Sequence, residues 1–575
     1  MPPNFSYMRK PAYILCFLLA AASLPAQNHD YYWPFGYASY DTLPEIGGSA
    51  IDFNHDPPDV FAQDREMNFD FTCASICDTA GNLLFYTNGE YIANYLHEKI
   101  PGSDTLSPGT LFNNVTPKGY RIIQGAVILP SPRENEQNIF YLFHQVGEYG
   151  TQFLSIHSSG LYSTVVDMDM NNGTGGIFSK RDTVIQDTLL RGKMSAVKHA
   201  NGRDWWLIAT EHASNRFYKV LLDTSGVQVV GNQAVGAPVH PWEGVGQVAF
   251  SPDGSKYARF NAISLAHGAD LDIYDFDRCT GTLGNPLHLS IQDSCYGGGV
   301  AFSPSSRFLY VVSTFFVYQF DMWADDVLAS KTTVAVFDGF TDPFPTWFFL
   351  AQLGPDGKIY INTRSASMHM HVIHNPDEPG DACNVEQHAI QLPTYNAWTM
   401  PNFPHYRLGA IPPITPSFMY SVSNDTVFFQ NTSTGGVKHA WDFGDGATAQ
   451  GRTVQHVYGQ PGAYPVTLTV SEGCFSESVT DTVWAVFTGT REGEEAEKGV
   501  RVFPNPATAQ VQVLLPPGTE PALVTLTDLM GREVARSAVP PGQELLLLDV
   551  SHLPPGIYYL SAGPGRRPAK LTVAR

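Results

Sequence analysis

Charged residues are scarce in this chain: Asp, Glu, Lys and Arg make up 15% of its 575 residues. Long solvent-exposed helices, which rely on charged faces, are therefore not expected. Cations are the scarcer sign, with 34 Lys and Arg against 55 Asp and Glu and a formal net charge of −21. No stripe of Lys and Arg able to neutralise phosphates is present, which argues against nucleic acid or an anionic membrane as partner. Long apolar runs are also missing. The one candidate, Tyr13 to Ala22, follows Arg9 and Lys10 and is roughly half the ~20 residues that a spanning helix needs. Gln27-Asn28-His29-Asp30 ends it, so residues 1–26 read as a cleaved export signal, with no transmembrane segment in the mature chain. Catalytic signatures are lacking as well: there is no serine elbow, HExxH pair, P-loop or dinucleotide fingerprint. No catalytic residue is assigned and no cofactor is expected, with calcium the one candidate ion.

Cysteine is sparse, seven in all, of which Cys16 lies inside the signal. Export permits disulfides. Cys279 and Cys295 bracket the turn-rich stretch DRCTGTLGNPLHLSIQDSC and form the expected pair. Cys73, Cys77, Cys383 and Cys474 cannot be paired from sequence, and Cys73 with Cys77 supplies too few ligands for zinc.

What the chain has in quantity is turn formers and aromatics, with 51 Gly, 42 Pro, 27 Tyr and 35 Phe. That composition suits short strands joined by tight turns, an all-β chain. The chain also repeats itself. AFSPDGSKYARF begins at Ala249, AFSPSSRFLYVVS at Ala301 and AQLGPDGKIYINTR at Ala351; their prolines, Pro252, Pro304 and Pro355, lie 52 and 51 residues apart. Weaker copies are GNLLFYTNG from Gly81, QNIFYLFHQ from Gln137 and GRDWWLIATE from Gly202. Each copy is a polar turn leading into an aromatic or β-branched strand, and Asp253-Gly254 and Asp356-Gly357 can adopt the positive φ of a tight reversal. A period near 50 with short strands points to β-propeller blades over residues 31–410. Seven blades are expected, with six the alternative; the seventh would be closed by strands from both ends. The blades resemble those of the WD40-like and YVTN-type surface propellers, although no copy ends in Trp-Asp.

Within the propeller, VDMDMNNGTGG places Asp167, Asp169, Asn171 and Gly173 as in the first half of a calcium loop, but Phe178 stands where the bidentate Glu belongs. A glycine-rich blade turn is the competing reading. In MHMHVIHNPD, His369 and His371 share one side of a strand and His374 takes the other, so at most two could share a metal. Glu211 and His212, and Trp242 and Glu243, sit near strand ends where acid and base could meet. Trp205, Trp206, Trp242 and Trp347 suit either a binding patch or the core, and the core is preferred.

After IPPITPSF, residues 411–418, the rhythm changes. In KHAWDFGDG, alternation puts Trp441 and Phe443 on one side and Asp442 on the other, while Asp445-Gly446 fits a tight turn. Asp442 and Asp445 are calcium candidates only if that turn brings them together. WDFGDG, followed by Tyr458 and Pro461-Gly462-x-Tyr464, resembles a PKD (polycystic kidney disease) domain over 415–487. The resemblance implies a small Ig-like β-sandwich serving as a spacer or adhesive module. The charged stretch 488–499 reads as a linker. Residues 500–575 carry Pro504-Asn505-Pro506, Asp528-Leu529-x-Gly531, Leu553-Pro554-Pro555-Gly556-x-Tyr558 and Lys570-Leu571-x-Val573. They resemble the type A C-terminal sorting domain of the Bacteroidetes type IX secretion system. That resemblance implies a second sandwich, passage across the outer membrane by the type IX machinery, and attachment to surface lipopolysaccharide or release. The leading expectation is an exported, non-enzymatic binding or adhesion protein whose propeller recognises a glycan or protein. A surface polysaccharide hydrolase or lyase, and a structural envelope or gliding-associated component, are the rivals. An aromatic-lined patch would mark the binder, and converging carboxylates or histidines the enzyme.

Overall fold

The computed structural model describes residues 27–39, 43–150, 156–239, 245–264, 268–293, 295–423, 426–485, 500–515, 522–563 and 568–574. The expected export signal, the linker 488–499, Trp242 and Glu243 lie outside them. The chain forms two compact units. The first combines the residues before 422 with Phe428–His456 and Ala463–Val483; the second combines Val422–Val427, Val457–Gly462 and Trp484–Arg575.

In the first unit, seven antiparallel sheets follow one another before residue 397. The first (Tyr32–Gly36, Gly48–Asp52, Asp59–Gln63) and second (Ala74–Cys77, Leu83–Thr87, Ile92–Asn94) have three strands each. The other five have four strands each, starting at Ala126, Ser195, Gly246, Gly298 and Phe348. Every repeat copy leads through its turn into the second strand of a sheet: Leu83–Thr87, Ile139–Tyr149, Trp205–Thr210, Lys256–Ser264, Phe308–Ser313 and Ile359–Thr363. The preceding turns have the expected chemistry. Gly254 and Gly357 adopt φ of +72° and +81°, and Asp253 and Asp356 accept the backbone N–H two residues on. Ser306 takes φ +64° in the copy that lacks glycine.

The apolar faces pair between neighbouring sheets. Trp206 packs with Tyr257 and Tyr274 between the fourth and fifth. Phe260 and Ile273 pack with Phe302 and Val311 between the fifth and sixth, and Tyr310 and Val312 with Ile361 and Ile373 between the sixth and seventh. Tyr360 of the seventh meets Trp33 and Phe53 of the first, with ring centroids 5.4 and 5.5 Å apart. Consecutive sheets whose last packs on the first make a closed ring, which is a β-propeller. Closure is not by a sheet shared between the two ends of the propeller. Residues 348–396 supply all four strands of the seventh sheet, and Thr394 fastens it to the first through Gly47 and Ser49 (2.9 and 2.6 Å).

Residues 397–411 then run back along the innermost strands. Asn402 donates to the carbonyls of Ala126 and Met194 (2.9 and 3.1 Å) and accepts from Gln124 (3.1 Å), and its backbone N–H bonds to Cys73. Gln124 in turn exchanges hydrogen bonds with the backbone of Val248. Gln247 links the next inner strands, accepting from Val300 and Ala351. Tyr406 donates to Ile128, and Arg407 grips Asp30 through both carboxylate oxygens. Backbone groups at the ends of inner strands need partners once buried, and this strap provides them.

The expected Cys279–Cys295 disulfide is not formed. Cys279 is bonded to Cys474, 195 residues away, with Cα atoms 5.3 Å apart. Strand Thr282–Ile291 explains the error: ten extended residues separate the two expected partners by roughly 30 Å, far beyond disulfide reach. Cys279 lies in the turn before that strand, and Cys474 in the hairpin turn between Gly462–Glu472 and Phe475–Ala485. Cys73, Cys77, Cys295 and Cys383 are free and buried. A non-reducing peptide map should therefore link the Cys279 and Cys474 peptides, with the other four alkylated only after unfolding. Recovery of a Cys279–Cys295 peptide would refute the assignment.

Residues 418–485 form a three-stranded sheet (Phe418–Ser423, Thr426–Asn431, Thr453–Val457) and a four-stranded one. In the second unit, Arg501–Phe503, Gln510–Leu514 and Leu545–Asp549 make one sheet. Glu533–Val539, Ala522–Asp528, Gly556–Ser561 and Ala569–Val573 make the other. Val511, Val513, Leu526, Leu560 and Leu571 fill the space between them.

Candidate functional site

An aromatic pocket of about 590 Å³ opens where the first, second and seventh sheets meet. Tyr37 follows the first strand, Phe69 precedes the second sheet, and Phe344 comes from the loop between the sixth and seventh sheets. Tyr395 and Trp398 lie where the last strand passes into the strap. Trp398 has φ +72°, a conformation that bulky residues avoid. Its geometry is fixed from both sides. The ring stacks on Phe71 (5.2 Å, 21°), and the Thr399 carbonyl accepts from Asn362 and Asn396. Such local strain is held by its surroundings and gathers at functional positions.

Asp70 and Arg121 lie beside these rings. Asp70 is 5% exposed, and its Oδ2 accepts from Arg121 Nε at 2.8 Å. Burial pushes the carboxyl up to about 6, against the lowering effect of Arg121. Arg121 keeps 45% of its side chain exposed. Lys118, also exposed, completes the polar part. Among the described lining residues Asp70 is the sole carboxylate.

The other candidates are placed elsewhere and engaged locally. Asp167 accepts the Asp169 N–H, Asn138 donates to Asp169 (2.7 Å), and Asn171 donates to the Gly175 carbonyl. Asn171, Asn172 and Gly173 all have positive φ, so this segment is a tight turn, and Phe178 beyond it is 74% exposed. Glu211 pairs with Arg216 at 3.0 Å. His369 and His371 do share one side. His369 bonds to Asp342 (3.0 Å), while His371 donates from Nε2 to the Thr346 carbonyl (2.9 Å) and accepts the His388 N–H on Nδ1. His374 pairs with Glu386 instead. Alternation does not find His388, because a bulge with φ +58° turns it onto the His369 and His371 face. These rings anchor the loop that carries Phe344. Trp205 and Trp206 are core residues, 1% and 4% exposed, whereas Trp347 is half-buried and stacks on Tyr296. Among the described residues no three His, Cys, Asp or Glu side chains gather as a metal ion would need.

WDFGDG closes a hairpin. Trp441 and Phe443 are buried at 1% and 2%, and Trp441 Nε1 donates to the Gly451 carbonyl. Asp442 accepts the Gly444 N–H. Asp445 accepts the Ala447 N–H and pairs with His456 at 2.7 Å, and His456 stacks flat on Phe443. Each carboxylate thus supports its own turn. This module matches the PKD domain family over residues 419–485, and residues 501–570 match the secretion system C-terminal sorting domain family. The chain thus carries a PKD domain and a type IX sorting tail. It is secreted to the cell surface or the extracellular space by that route. No helix of the described residues is long and apolar enough to cross a membrane.

The PKD domain is similar to the PKD1 domain of the Vibrio cholerae metalloprotease PrtV. Identity is 30%, the match covers 13% of this chain and 98% of that one, and the TM-score is 0.13. The propeller region is similar to the Pseudomonas aeruginosa periplasmic gluconolactonase, with 12% identity, 71% and 99% coverage and a TM-score of 0.31. It is also similar to a Lactobacillus plantarum protein, with 12% identity, 64% and 98% coverage and a TM-score of 0.35. No curated protein matches the chain. In the sorting domain, Asn505, between Pro504 and Pro506, donates to the Lys570 carbonyl and accepts the Thr572 N–H, both at 2.7 Å. Gly531 takes φ +76° in the turn that Asp528 closes. Gly556 opens the strand in which Tyr558 donates to the Pro554 carbonyl.

Proposed function

We propose that this exported protein binds a ligand at the cell surface without transforming it, holding it in the aromatic pocket of the propeller with the PKD domain as spacer. The observation that carries this reading is the pocket itself. Five aromatic side chains from separated parts of the chain line it, and among the described residues only one carboxylate accompanies them. Half-buried aromatic faces beside a few fixed polar groups suit recognition, whereas glycoside hydrolysis ordinarily requires two carboxylates flanking the bond. In this reading the export signal is removed at about residue 26 and residues 31–410 form a propeller of seven blades. The PKD module occupies 415–487, the linker 488–499 and the sorting domain 500–575.

A glycan panel presented to the full chain, read for both retention and product release, tests the proposal. Retention of at least one polysaccharide without new chain ends is expected. Phe344→Ala, which removes an exposed ring, should weaken retention about tenfold or more. Product release would identify an enzyme, and retention indifferent to Phe344 would remove the pocket from the account.

A further inference from the structure

Resting on that reading, we infer that the pocket takes an acidic sugar: a glycan with uronate units, its ring against the aromatic wall and its carboxylate on Arg121 and Lys118. The inference comes from cations left unanswered. In a chain of net charge −21, an exposed guanidinium edge and an ammonium beside aromatic rings stand out. Among the described residues, no hydrogen bond or ion pair engages either terminal nitrogen of Arg121. Asp70 binds only its Nε. The Lys118 N–H bonds to the Val115 carbonyl, but no hydrogen bond or ion pair engages its ammonium among the described residues. Asp70 acts as a positioning residue. Buried and bonded at Nε, it fixes the plane of the guanidinium and leaves the outer edge, with both terminal amines, directed away from the bond. That edge matches a carboxylate bidentately, which an ammonium cannot do.

The rest of the pocket defines what carries the carboxylate. Tyr395, Trp398 and Phe344 offer half-buried or exposed apolar faces, suited to the apolar face of a pyranose ring, while tyrosine hydroxyls remain for its hydroxyl groups. A cavity of about 590 Å³ falls in the range of sites that enclose a ligand of a few rings. A neutral sugar would leave the outer edge of Arg121 and the Lys118 ammonium unmatched, and a bare inorganic anion would leave the aromatic wall unused.

Calorimetric titration of the full chain with trimers of galacturonate, glucuronate and mannuronate, each compared with its methyl ester, separates the two levels of the account. Esterification removes the charge and keeps the ring. At least one acid trimer should bind about tenfold or more tighter than its ester, with affinity falling as salt rises. Arg121→Gln should erase that preference. Lys118→Gln, at an exposed position where folding is not at stake, should reduce it in the same direction. Phe344→Ala should weaken acid and ester alike. Equal binding of acid and ester, still sensitive to Phe344→Ala, would overturn the uronate assignment and leave the recognition site standing. Failure of every trimer to bind would overturn the uronate assignment alone, the recognition site then standing or falling with the glycan panel, whereas trimer binding indifferent to Phe344→Ala would overturn both.

Discussion

Asn402→Ala should destabilise the propeller by about 3–5 kcal/mol, the cost of stranding several buried polar groups at once. The side chain gives the Ala126 and Met194 carbonyls a donor and the Gln124 amide an acceptor. All of these groups are buried, and Asn402 itself is 3% exposed. Each orphaned group costs about 1–3 kcal/mol. The effect exceeds that of an ordinary surface asparagine because three inner strands depend on one residue. Asn114→Ala, at an exposed helical position, should stay within about 0.5 kcal/mol. Calorimetry on the propeller's own transition checks the pair; a loss below about 1 kcal/mol at Asn402 would show that the strap does not hold the ring.

Mild acid should be as damaging. His144 and His371 are fully buried, and burial, the largest cause for each, holds both imidazoles down to about 3. Arg181 and Lys180 add to the effect at His144, and His388 and His369 at His371, where the bond to the Thr346 carbonyl and then Asp338 oppose it. Both rings are committed as neutral groups: His144 lies between the Ser107 and Thr164 hydroxyls, and His371 donates to one carbonyl and accepts one backbone N–H. In the unfolded chain each titrates near 6.5. The folded pKa lies below the unfolded one, so the unfolded state binds more protons throughout the interval between them. Stability is therefore complete above about 6.5 and is lost as pH falls, by about 1.4 kcal/mol per pH unit for each ring. Together they remove roughly 4 kcal/mol between pH 6.5 and 5. Asp70 works in the opposite direction: its raised pKa makes protonation favour the folded state as pH falls through about 6, which offsets part of the loss. Denaturant titrations at pH 7.5 and 5 measure the difference. His144→Gln, keeping hydrogen bonds without the titration, should flatten the slope; an unchanged slope would assign the acid sensitivity elsewhere.

The ring of sheets was legible because its signal is local. A polar turn followed by an aromatic strand marks the second strand of six of the seven sheets. The first sheet escapes, since its middle strand, GSAID, carries neither a repeat turn nor an aromatic. Alternation also placed Trp441 and Phe443 in a core and His369 beside His371 correctly, because a strand's period is fixed by its pleat. What failed depends on distance along the chain. Cys474 lies 195 residues from Cys279, and proximity in sequence favoured the wrong partner. The pocket draws Asp70, Arg121, Phe344 and Trp398 from four separated segments, each of which reads as an ordinary loop. Only ring closure brings them together, and only the Nε bond of Arg121 to a buried carboxylate distinguishes it from any surface arginine. His388 needed a bulge that no residue type announces. The sorting and PKD modules were recoverable because their motifs are turn residues at fixed offsets, where backbone geometry restricts the choice.

The central claim is that an exported propeller binds through its aromatic pocket and does not transform what it binds. The most direct measurement is paired retention of the wild-type full chain and its Phe344→Ala variant on the same glycan panel, with released ends counted in the eluate. The account predicts retention by wild type, about tenfold or greater weakening in the variant, and no released ends from either. Released ends from the wild type, or equal retention by the two proteins, would contradict it.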